Sequence, residues 1–207
     1  MTGNDFDDIP TVIDAVRRGQ LVLIADREDR ENEGDLILAA AHANASTVAF
    51  MISLGRGLLC LPLTASRAAE LDFPPMVATN ADPMRTAFTV SVDAIAAKGV
   101  GTGISASDRA ITSRTAIDGT AADFTRPGHL FPLVAKDGGV LARPGHTEAG
   151  VDLARLAGFD PIALIIEVIG EDGEMLRGAD LLAFARRHRL PVATIDALVQ
   201  WRTATGV

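Results

Sequence analysis

The highest density of chemically reactive side chains lies in the segment 26–35, whose sequence is DREDRENEGD. Its six carboxylates and two arginines give it a formal charge of −4. Two apolar runs, Leu21–Ala25 and Leu36–Ala40, flank it and are predicted to be buried strands, which fix its ends at the rim of a sheet. Crowded carboxylates repel one another unless cations offset their charge, so the segment is predicted to hold a hard divalent ion such as Mg²⁺. The spacing leaves open which acid binds the ion, and a solvated charge run is the alternative.

Two of the four histidines lie in copies of the tetrapeptide Arg-Pro-Gly-His, at 126–129 and 143–146. Proline followed by glycine favours a tight turn, which predicts that each imidazole is presented at the tip of a loop. The second copy leads into a predicted helix, Thr147–Ala157, whose first N–H groups and the Arg143 guanidinium could together hold a phosphate. The alternative is that both copies are turns without a chemical role.

Three other positions carry weaker signals. The segment 101–105, GTGIS, has small and hydroxyl residues before a predicted helix, but it matches neither the phosphate-binding loop nor the serine-nucleophile motif. Asp108 and Arg109, which follow it, are predicted to form a surface ion pair. Glu167 lies in a predicted buried strand, Ala163–Ile169, where a carboxylate is costly unless it is paired or lies at the strand's functional end. Such a group suits proton transfer, and an exposed face of the sheet is the alternative.

The composition, 48% hydrophobic and 22% charged residues, is that of an ordinary globular protein. The net charge of −8 argues against a general affinity for nucleic acid or for an anionic membrane surface. The single cysteine, Cys60, is predicted to be a small buried apolar residue, and it cannot form an intramolecular disulfide. His42 and His188 are predicted to lie on the surface. The acidic start of the chain does not resemble a secretory signal, so a cytoplasmic protein is expected.

The elements that must position these residues alternate between strands and helices. Strands are predicted at Leu21–Ala25, Leu36–Ala40, Leu58–Leu63, Ala87–Val92, Leu133–Ala135, Ala163–Ile169 and Val192–Thr194. Helices are predicted at Ile9–Arg18, Ala45–Leu54, after a cap at Thr64, from Ser107, and at Thr147–Ala157, Ala179–His188 and Ile195–Arg202. Asp72–Arg85 is predicted to be an irregular surface loop, and Ala121–Gly128 a polar connection. The pattern predicts one α/β (α+β) domain over residues 1–207, with a mixed sheet surrounded by helices.

Seven segments together resemble the 3,4-dihydroxy-2-butanone-4-phosphate synthase family of riboflavin biosynthesis. They are DRENEGD at 29–35, TAFTVSVD at 86–93, GTGISASDR at 101–109, DFTRPGHLFP at 123–132, KDGGVL at 136–141, RPGHTEA at 143–149 and the strand that carries Glu167. The resemblance implies a compact α/β fold and a homodimer with active sites at the subunit interface. It also implies a metal-dependent lyase that converts D-ribulose 5-phosphate to L-3,4-dihydroxybutan-2-one 4-phosphate and formate.

The resemblance also implies roles for individual residues. Glu31 and His146 resemble the protein ligands of Mg²⁺ or Mn²⁺, with two ions in each active site, and Arg30 and Asp35 resemble sugar-binding residues. Glu33 resembles a proton acceptor in the acidic surround. The family's loop that binds phosphate and metal is matched by the residues Arg143, Pro144, Gly145, His146 and Thr147, which resemble it.

A further group of residues is implied by the same family pattern. His129 and Glu167 resemble the pair essential for catalysis, and Glu167 also resembles a residue that contacts substrate. Thr102, Ser105 and Asp108 resemble the family's segment that reaches across the dimer. Cys60 resembles a cysteine that lies near the sugar in the family.

Two departures and two rival functions remain open at this point. Arg27 stands where the family usually has an acid, and the stretch 76–85 is looser than the motifs around it. Many members of the family continue into a GTP cyclohydrolase II domain, whereas this chain ends at Val207, so a monofunctional enzyme is expected. The rivals are a noncatalytic relative that binds sugar phosphate or metal, and a metal-dependent phosphosugar isomerase or aldolase.

Overall fold

The computed structural model describes residues 5–207. Its strands are β1 (Val22–Ala25), β2 (Gly34–Ala39), β3 (Cys60–Leu63), β4 (Val92–Ala94), β5 (Phe124–Val134), β6 (Ala163–Glu167) and β7 (Val192–Thr194). Its α-helices are α1 (Ile9–Arg17), α2 (Ala45–Phe50), α3 (Ala65–Glu70), α4 (Ala106–Asp118), α5 (His146–Leu156), α6 (Gly178–His188) and α7 (Ile195–Thr205). Within the described range, no helix is long and apolar enough to cross a membrane.

All seven of these strands form one mixed sheet in the order β4-β5-β3-β6-β2-β1-β7. The pairs β1–β7 and β3–β5 are parallel, and the other neighbouring pairs are antiparallel. In the central β2–β6 pair, Asp35 lies directly opposite Glu167. The register of two apolar strands therefore places two carboxylates side by side at one end of the sheet.

Helices cover both faces of the sheet, which explains why its central strands are continuous apolar runs. Along β2, Leu36 and Leu38 pack into one core with α2, α3, α4 and α6, while Ile37 packs into a second core with α1, α5 and α7. All three side chains are fully buried. Burying a leucine or isoleucine contributes about 2 kcal/mol relative to leaving it exposed, so both faces hold β2 and fix its register.

Polar side chains begin several of the helices. Asp8 accepts the Thr11 N–H at the start of α1, at 2.8 Å. Thr64 accepts the Arg67 N–H at 3.2 Å, which confirms the cap predicted for α3. Helix α5 differs, because it begins after Gly145 without a side-chain cap. Its first N–H groups are therefore not satisfied by a capping side chain.

The first Arg-Pro-Gly-His copy is not a loop tip, and the predicted polar connection 121–128 is partly wrong. Strand β5 begins at Phe124 and runs through this copy, with a cis peptide bond between Arg126 and Pro127. The Arg126 guanidinium donates to the carbonyl oxygens of Leu71 and Asp72 at 2.5 and 2.9 Å. These distant contacts, together with pairing to β4, hold as a strand a segment whose local sequence favours a turn.

Other predictions are corrected by similar long-range packing. The strand predicted at 87–92 is mostly absent: β4 starts at Val92, because a bond of 2.9 Å from the Phe88 N–H to the Thr86 carbonyl turns the chain. The two histidines predicted on the surface are half-buried. His42 packs edge-on against Phe159, and His188 packs against the rings of Phe50 and Phe184.

Gly128 provides a test of how tightly β4 and β5 are packed. A Cβ atom at this position would overlap the backbone of Val92 and Asp93, which cannot rotate away as a side chain would. We expect Gly128→Ala to lower the free energy of unfolding by about 3 kcal/mol, measured by urea denaturation. The matched control is Gly101→Ala, whose Cβ would make only ordinary contacts with Asp108. Equal stability of the two variants would contradict the described packing.

Candidate active site

A cavity of about 210 Å³ lies at the end of the sheet where Asp35 faces Glu167. Nine of the residues singled out in the sequence line it: Arg30, Glu31, Glu33, Asp35, Cys60, Arg143, His146, Thr147 and Glu167. Thr86, Phe88, Leu133 and Ile165 complete the wall. The structure therefore brings together the acidic segment, the second Arg-Pro-Gly-His copy and the end of β6.

The acidic segment is folded around one buried carboxylate, that of Asp26. This side chain accepts hydrogen bonds from the Arg30 guanidinium at 2.6 Å and from the Glu31 backbone N–H at 3.2 Å. The Asp26 N–H in turn donates to the Glu33 carbonyl at 2.8 Å, which closes the loop. The segment is thus an ordered loop rather than a solvated charge run. Asp26 shapes the loop, although nothing in the sequence distinguishes this acid from its neighbours.

His146 is buried at the start of α5, and its two ring nitrogens have different surroundings. Nε2 lies 3.1 Å from the Ile24 carbonyl oxygen. Because a carbonyl can only accept, Nε2 carries the hydrogen, and the other nitrogen is turned towards the acids. Nδ1 lies 3.6 Å from an oxygen of Glu31 and 3.6 Å from an oxygen of Asp35. A backbone carbonyl that fixes one nitrogen while the other faces carboxylates is a typical setting for a metal ligand.

The cavity concentrates negative charge, and the pKa values respond to it. Burial lowers the pKa of His146, but Asp35, Glu31 and Asp26 outweigh burial and raise that pKa to about 9. Burial raises the pKa of Asp35 to about 7, with Glu167, Glu31 and Glu33 acting in the same direction against His146. Protons therefore offset part of the charge here, and a divalent cation would take their place on binding.

The lower pKa of Glu31 and the higher pKa of Glu33 separate two neighbouring acids. The polar contact with His146 lowers the pKa of Glu31 against the effect of burial, and Arg30 lowers it further. Burial raises the pKa of Glu33, and the charges of Glu31 and Glu167 add to that rise. Glu31 is thus suited to stay ionised, while Glu33 is suited to accept a proton.

The residues fit a divalent cation that keeps open coordination positions. Within residues 5–207, no group of three or more His, Cys, Asp or Glu side chains is already arranged around one point. Glu31 and the Nδ1 atom of His146 offer one oxygen and one nitrogen, and Asp35 Oδ1 is buried without a hydrogen-bond partner. Mg²⁺ is commonly held by few protein groups, with water and substrate oxygens as the remaining ligands.

A basic side chain, that of Arg143, lines the same cavity as these acids. One nitrogen of the Arg143 guanidinium contacts Glu148 at 2.7 Å, and the other contacts the Met84 carbonyl at 3.1 Å. Arg143 therefore lies beside the uncapped N–H groups at the start of α5, and the two features together suit a phosphate. Glu148, which is fully buried, also accepts the Lys136 N–H at 3.0 Å. The role of Glu148 was not predicted from the sequence, although its place five residues after Arg143, in the first turn of a predicted helix, was a usable signal.

Glu167 and Cys60 form the third side of the cavity. Glu167 lies at the end of β6 and is half-buried. One of its carboxylate oxygens accepts the Leu58 N–H at 2.8 Å, which orients the carboxylate. Cys60 pairs with Ile165 at the start of β3. Burial raises the pKa of its thiol, and Glu167 and Asp35 raise it further, so the thiol stays neutral. This agrees with the prediction of a small buried residue.

The remaining predicted residues lie outside this cavity. His129 is on β5, four residues from Leu133, which corresponds to about 13 Å along a strand. Near it, the carboxylate of Asp108 accepts the N–H groups of Gly101 and Gly103 at 3.1 and 3.0 Å. Asp108 is therefore buried and orders its loop, which corrects the predicted surface ion pair with Arg109.

Ser105 and Thr102 belong to the same second group as His129 and Asp108. The Ser105 hydroxyl accepts the Asp108 N–H at 3.1 Å and caps α4, while Thr102 is exposed. The structure leaves these four residues together, apart from the nine that line the cavity. Asp93, whose carboxylate contacts the His129 ring at 2.6 Å, was also not predicted as a site residue.

Comparison with known proteins places the chain. The family model of 3,4-dihydroxy-2-butanone 4-phosphate synthase matches residues 10–201. The chain belongs to this family. A 3,4-dihydroxy-2-butanone 4-phosphate synthase of Baumannia cicadellinicola is 47% identical over 203 residues, which cover 97% of this chain and 95% of that protein. A riboflavin biosynthesis protein RibBA of Aquifex aeolicus is 49% identical over 199 residues, covering 95% of this chain.

Solved structures of the synthase family agree with the fold. A crystal structure of a 3,4-dihydroxy-2-butanone 4-phosphate synthase in complex with two magnesium ions superposes with a TM-score of 0.92, at 47% identity, over 97% of this chain and 99% of that one. The expected α/β fold with a mixed sheet is therefore confirmed. The chain spans about half the length of several curated relatives, including 49% of the Aquifex aeolicus protein.

The buried pair of Arg143 and Glu148 can be tested for its part in holding the synthase fold. Removing Glu148 would leave Arg143 and the Lys136 N–H without their shared acceptor. We expect Glu148→Ala to lower the free energy of unfolding by about 3–5 kcal/mol in urea denaturation. The control is Glu171→Ala, because Glu171 is 91% exposed and lies 3.8 Å from Arg56, so its loss is expected to cost less than about 1 kcal/mol. A similar cost for both variants would contradict the assignment.

Proposed function

We propose that this chain converts D-ribulose 5-phosphate to L-3,4-dihydroxybutan-2-one 4-phosphate and formate in riboflavin biosynthesis. The observation that carries the proposal is the joint cavity, which is lined by Glu31 and His146 and also by Arg143 beside the uncapped start of α5. A sugar phosphate can place neighbouring sugar oxygens near Glu31 and His146 while its phosphate lies against Arg143. Family membership and the names of the relatives support the same reaction.

The proposal includes Mg²⁺ or Mn²⁺, held by Glu31 and His146, with two ions in each site. A related structure, solved in complex with two magnesium ions, supports the choice of a divalent cation. The buried, unpartnered Oδ1 atom of Asp35 and the fixed orientation of His146 support this assignment. When bound, the cation polarises the substrate ketone and stabilises negative charge on its neighbouring oxygens.

The chain's own residues then bind the substrate and move protons. Arg143 and the N–H groups of His146 and Thr147 hold the phosphate, while Arg30 and Asp35 bind the sugar oxygens. Glu33, whose pKa burial raises, accepts a proton near neutral pH, and Glu167, oriented by the Leu58 N–H, exchanges protons with the sugar. Cys60 remains a neutral thiol against the sugar.

The reaction is a series of proton transfers around one carbon rearrangement. Enolisation at C3 and loss of the C1 hydroxyl precede a 1,2-shift of the skeleton, and hydration then releases C4 as formate. The water lost in the early steps is regained at hydration, so the sugar phosphate divides into two products without an external oxidant. Groups that both give and take protons near neutral pH are suited to this series of reaction steps.

The proposal also includes a homodimer whose partner subunit supplies His129, Thr102, Ser105 and Asp108. The distance of about 13 Å along β5 between His129 and the cavity residue Leu133 supports a role for this group in another copy's site. His129 has a side chain that is 46% exposed, as a group that meets a second subunit's substrate would require. The single thiol, which excludes an intramolecular disulfide, supports a cytoplasmic location, and no nucleic acid or membrane is needed.

The reaction can be tested directly with purified protein, D-ribulose 5-phosphate and Mg²⁺. We expect one formate for each four-carbon phosphate, measured by a formate dehydrogenase assay and by ¹³C NMR, and we expect EDTA to abolish both products. His146→Ala is expected to reduce turnover by at least about 100-fold because it removes a metal ligand. The control His188→Gln changes a histidine packed on Phe184, outside the cavity, and should keep full activity.

Two results would contradict this reaction. Turnover of the sugar without formate would favour an isomerase or aldolase. Metal-dependent binding of the sugar without any product would favour a noncatalytic relative.

The shared active site can be tested by mixing two inactive variants. If His129 acts in the partner's site, a heterodimer of Glu31→Gln and His129→Ala subunits contains one intact site. Random pairing at equal amounts should then restore about a quarter of the wild-type activity, since half of the dimers are mixed and each has one working site. If both residues act within one subunit, the mixture stays inactive. Differently tagged, co-expressed subunits allow the heterodimer to be isolated and assayed alone.

A further inference from the structure

His129 is clamped by one carboxylate through two separate contacts. Its ring nitrogen Nδ1 lies 2.6 Å from Oδ2 of Asp93, and its backbone N–H donates to Oδ1 of the same residue at 2.9 Å. The Asp93 side chain is only 10% exposed, whereas that of His129 is 46% exposed. Both carboxylate oxygens of the buried Asp93 thus hold His129, one through the ring and one through the backbone, while the imidazole stays partly exposed.

The surroundings keep the Asp93 carboxylate in this position. The register between β4 and β5 shifts at Val92 and Asp93, which marks a bulge that aims the side chain at His129. Gly103 packs so closely on the carboxylate that a Cβ atom there would overlap it. Arg109 adds an electrostatic attraction to Asp93 from α4. The clamp is therefore supported by three elements rather than by one flexible loop.

We propose that Asp93 is a positioning residue that holds His129 in the tautomer with hydrogen on Nδ1. An ionised carboxylate can only accept, so a hydrogen bond of 2.6 Å requires the hydrogen on Nδ1. In the neutral ring, Nε2 is then the nitrogen without hydrogen, and it can accept a proton from substrate. This role rests on the proposed function, because it requires that His129 act in turnover.

The variant Asp93→Asn separates this role from a purely structural one. The His129 backbone N–H still needs an acceptor, so the amide oxygen is expected to take the place of Oδ1. The amide nitrogen then takes the place of Oδ2 and donates to Nδ1, which forces the hydrogen onto Nε2. The shape of the clamp is kept while the tautomer is reversed.

We expect Asp93→Asn to lower kcat by about 10²- to 10⁴-fold, as a reversed histidine tautomer does in other enzymes. The KM for D-ribulose 5-phosphate is expected to change by less than about threefold, because Arg143, Glu31 and His146, which bind phosphate and metal, line the cavity and Asp93 does not. ¹⁵N NMR of histidine-labelled protein should find hydrogen on Nδ1 of His129 in the wild type and on Nε2 in the variant. His129→Gln assigns the signal.

The control is Asp123→Asn, because Asp123 also accepts a backbone N–H, from Thr120 at 2.8 Å, but does not contact a histidine. It should keep the wild-type kcat. Combining Asp93→Asn with His129→Ala should cost no more activity than His129→Ala alone.

Several outcomes would overturn the role of Asp93. They are an unchanged kcat in Asp93→Asn, an Nε2–H tautomer in the wild type, or a fall in kcat matched by lost stability. The wild-type tautomer is measured without any variant, so a failure of Asp93→Asn to fold does not prevent the test. An active wild type with an unaffected Asp93→Asn variant rejects only this role, whereas a wild type that releases no formate rejects the proposed function and this role with it.

Discussion

Repulsion between carboxylates at the ends of β2 and β6 is the constraint on which the rest of the site depends. The register that seals both hydrophobic cores also places Asp35 opposite Glu167, with Glu31 and Glu33 close by. Three neighbouring groups reduce the repulsion between these carboxylates. His146 is turned towards the acids, Arg30 lies against Glu31 at 2.6 Å, and the Leu58 N–H takes up one oxygen of Glu167.

The acidic loop can stay compact because its own charge is partly neutralised inside it. Asp26 holds the backbone of Glu31 and the side chain of Arg30, so the arginine is fixed between two acids. The Arg143 guanidinium is paired with a buried acid in the same way, that of Glu148. Paired charges of both signs can therefore line one small cavity without collapsing onto each other.

Much of the site could be predicted from the sequence because its residues are contiguous or lie beside strong strand patterns. Glu31, Glu33 and Asp35 belong to one run between two apolar strands, and His146 begins a helix with clear periodicity. The two Arg-Pro-Gly-His copies mark the limit. Local sequence is the same in both, yet one is a strand and the other leads into a helix, because Gly128 packs on a neighbouring backbone. Asp93 was missed for the same reason, since its partner His129 is 36 residues away.

The bond from His146 to the Ile24 carbonyl has a consequence for the whole domain. Ile24 belongs to β1, which is paired on one side with β2 and on the other with β7, so the ring is anchored to the sheet rather than to a loop. The unfolded chain has no such preformed geometry. Any ion that prefers the folded arrangement therefore adds its binding energy to the folding equilibrium. Chelation of the proposed cation is therefore expected to lower the stability of the folded domain, and resistance to heat is expected to rise with metal occupancy.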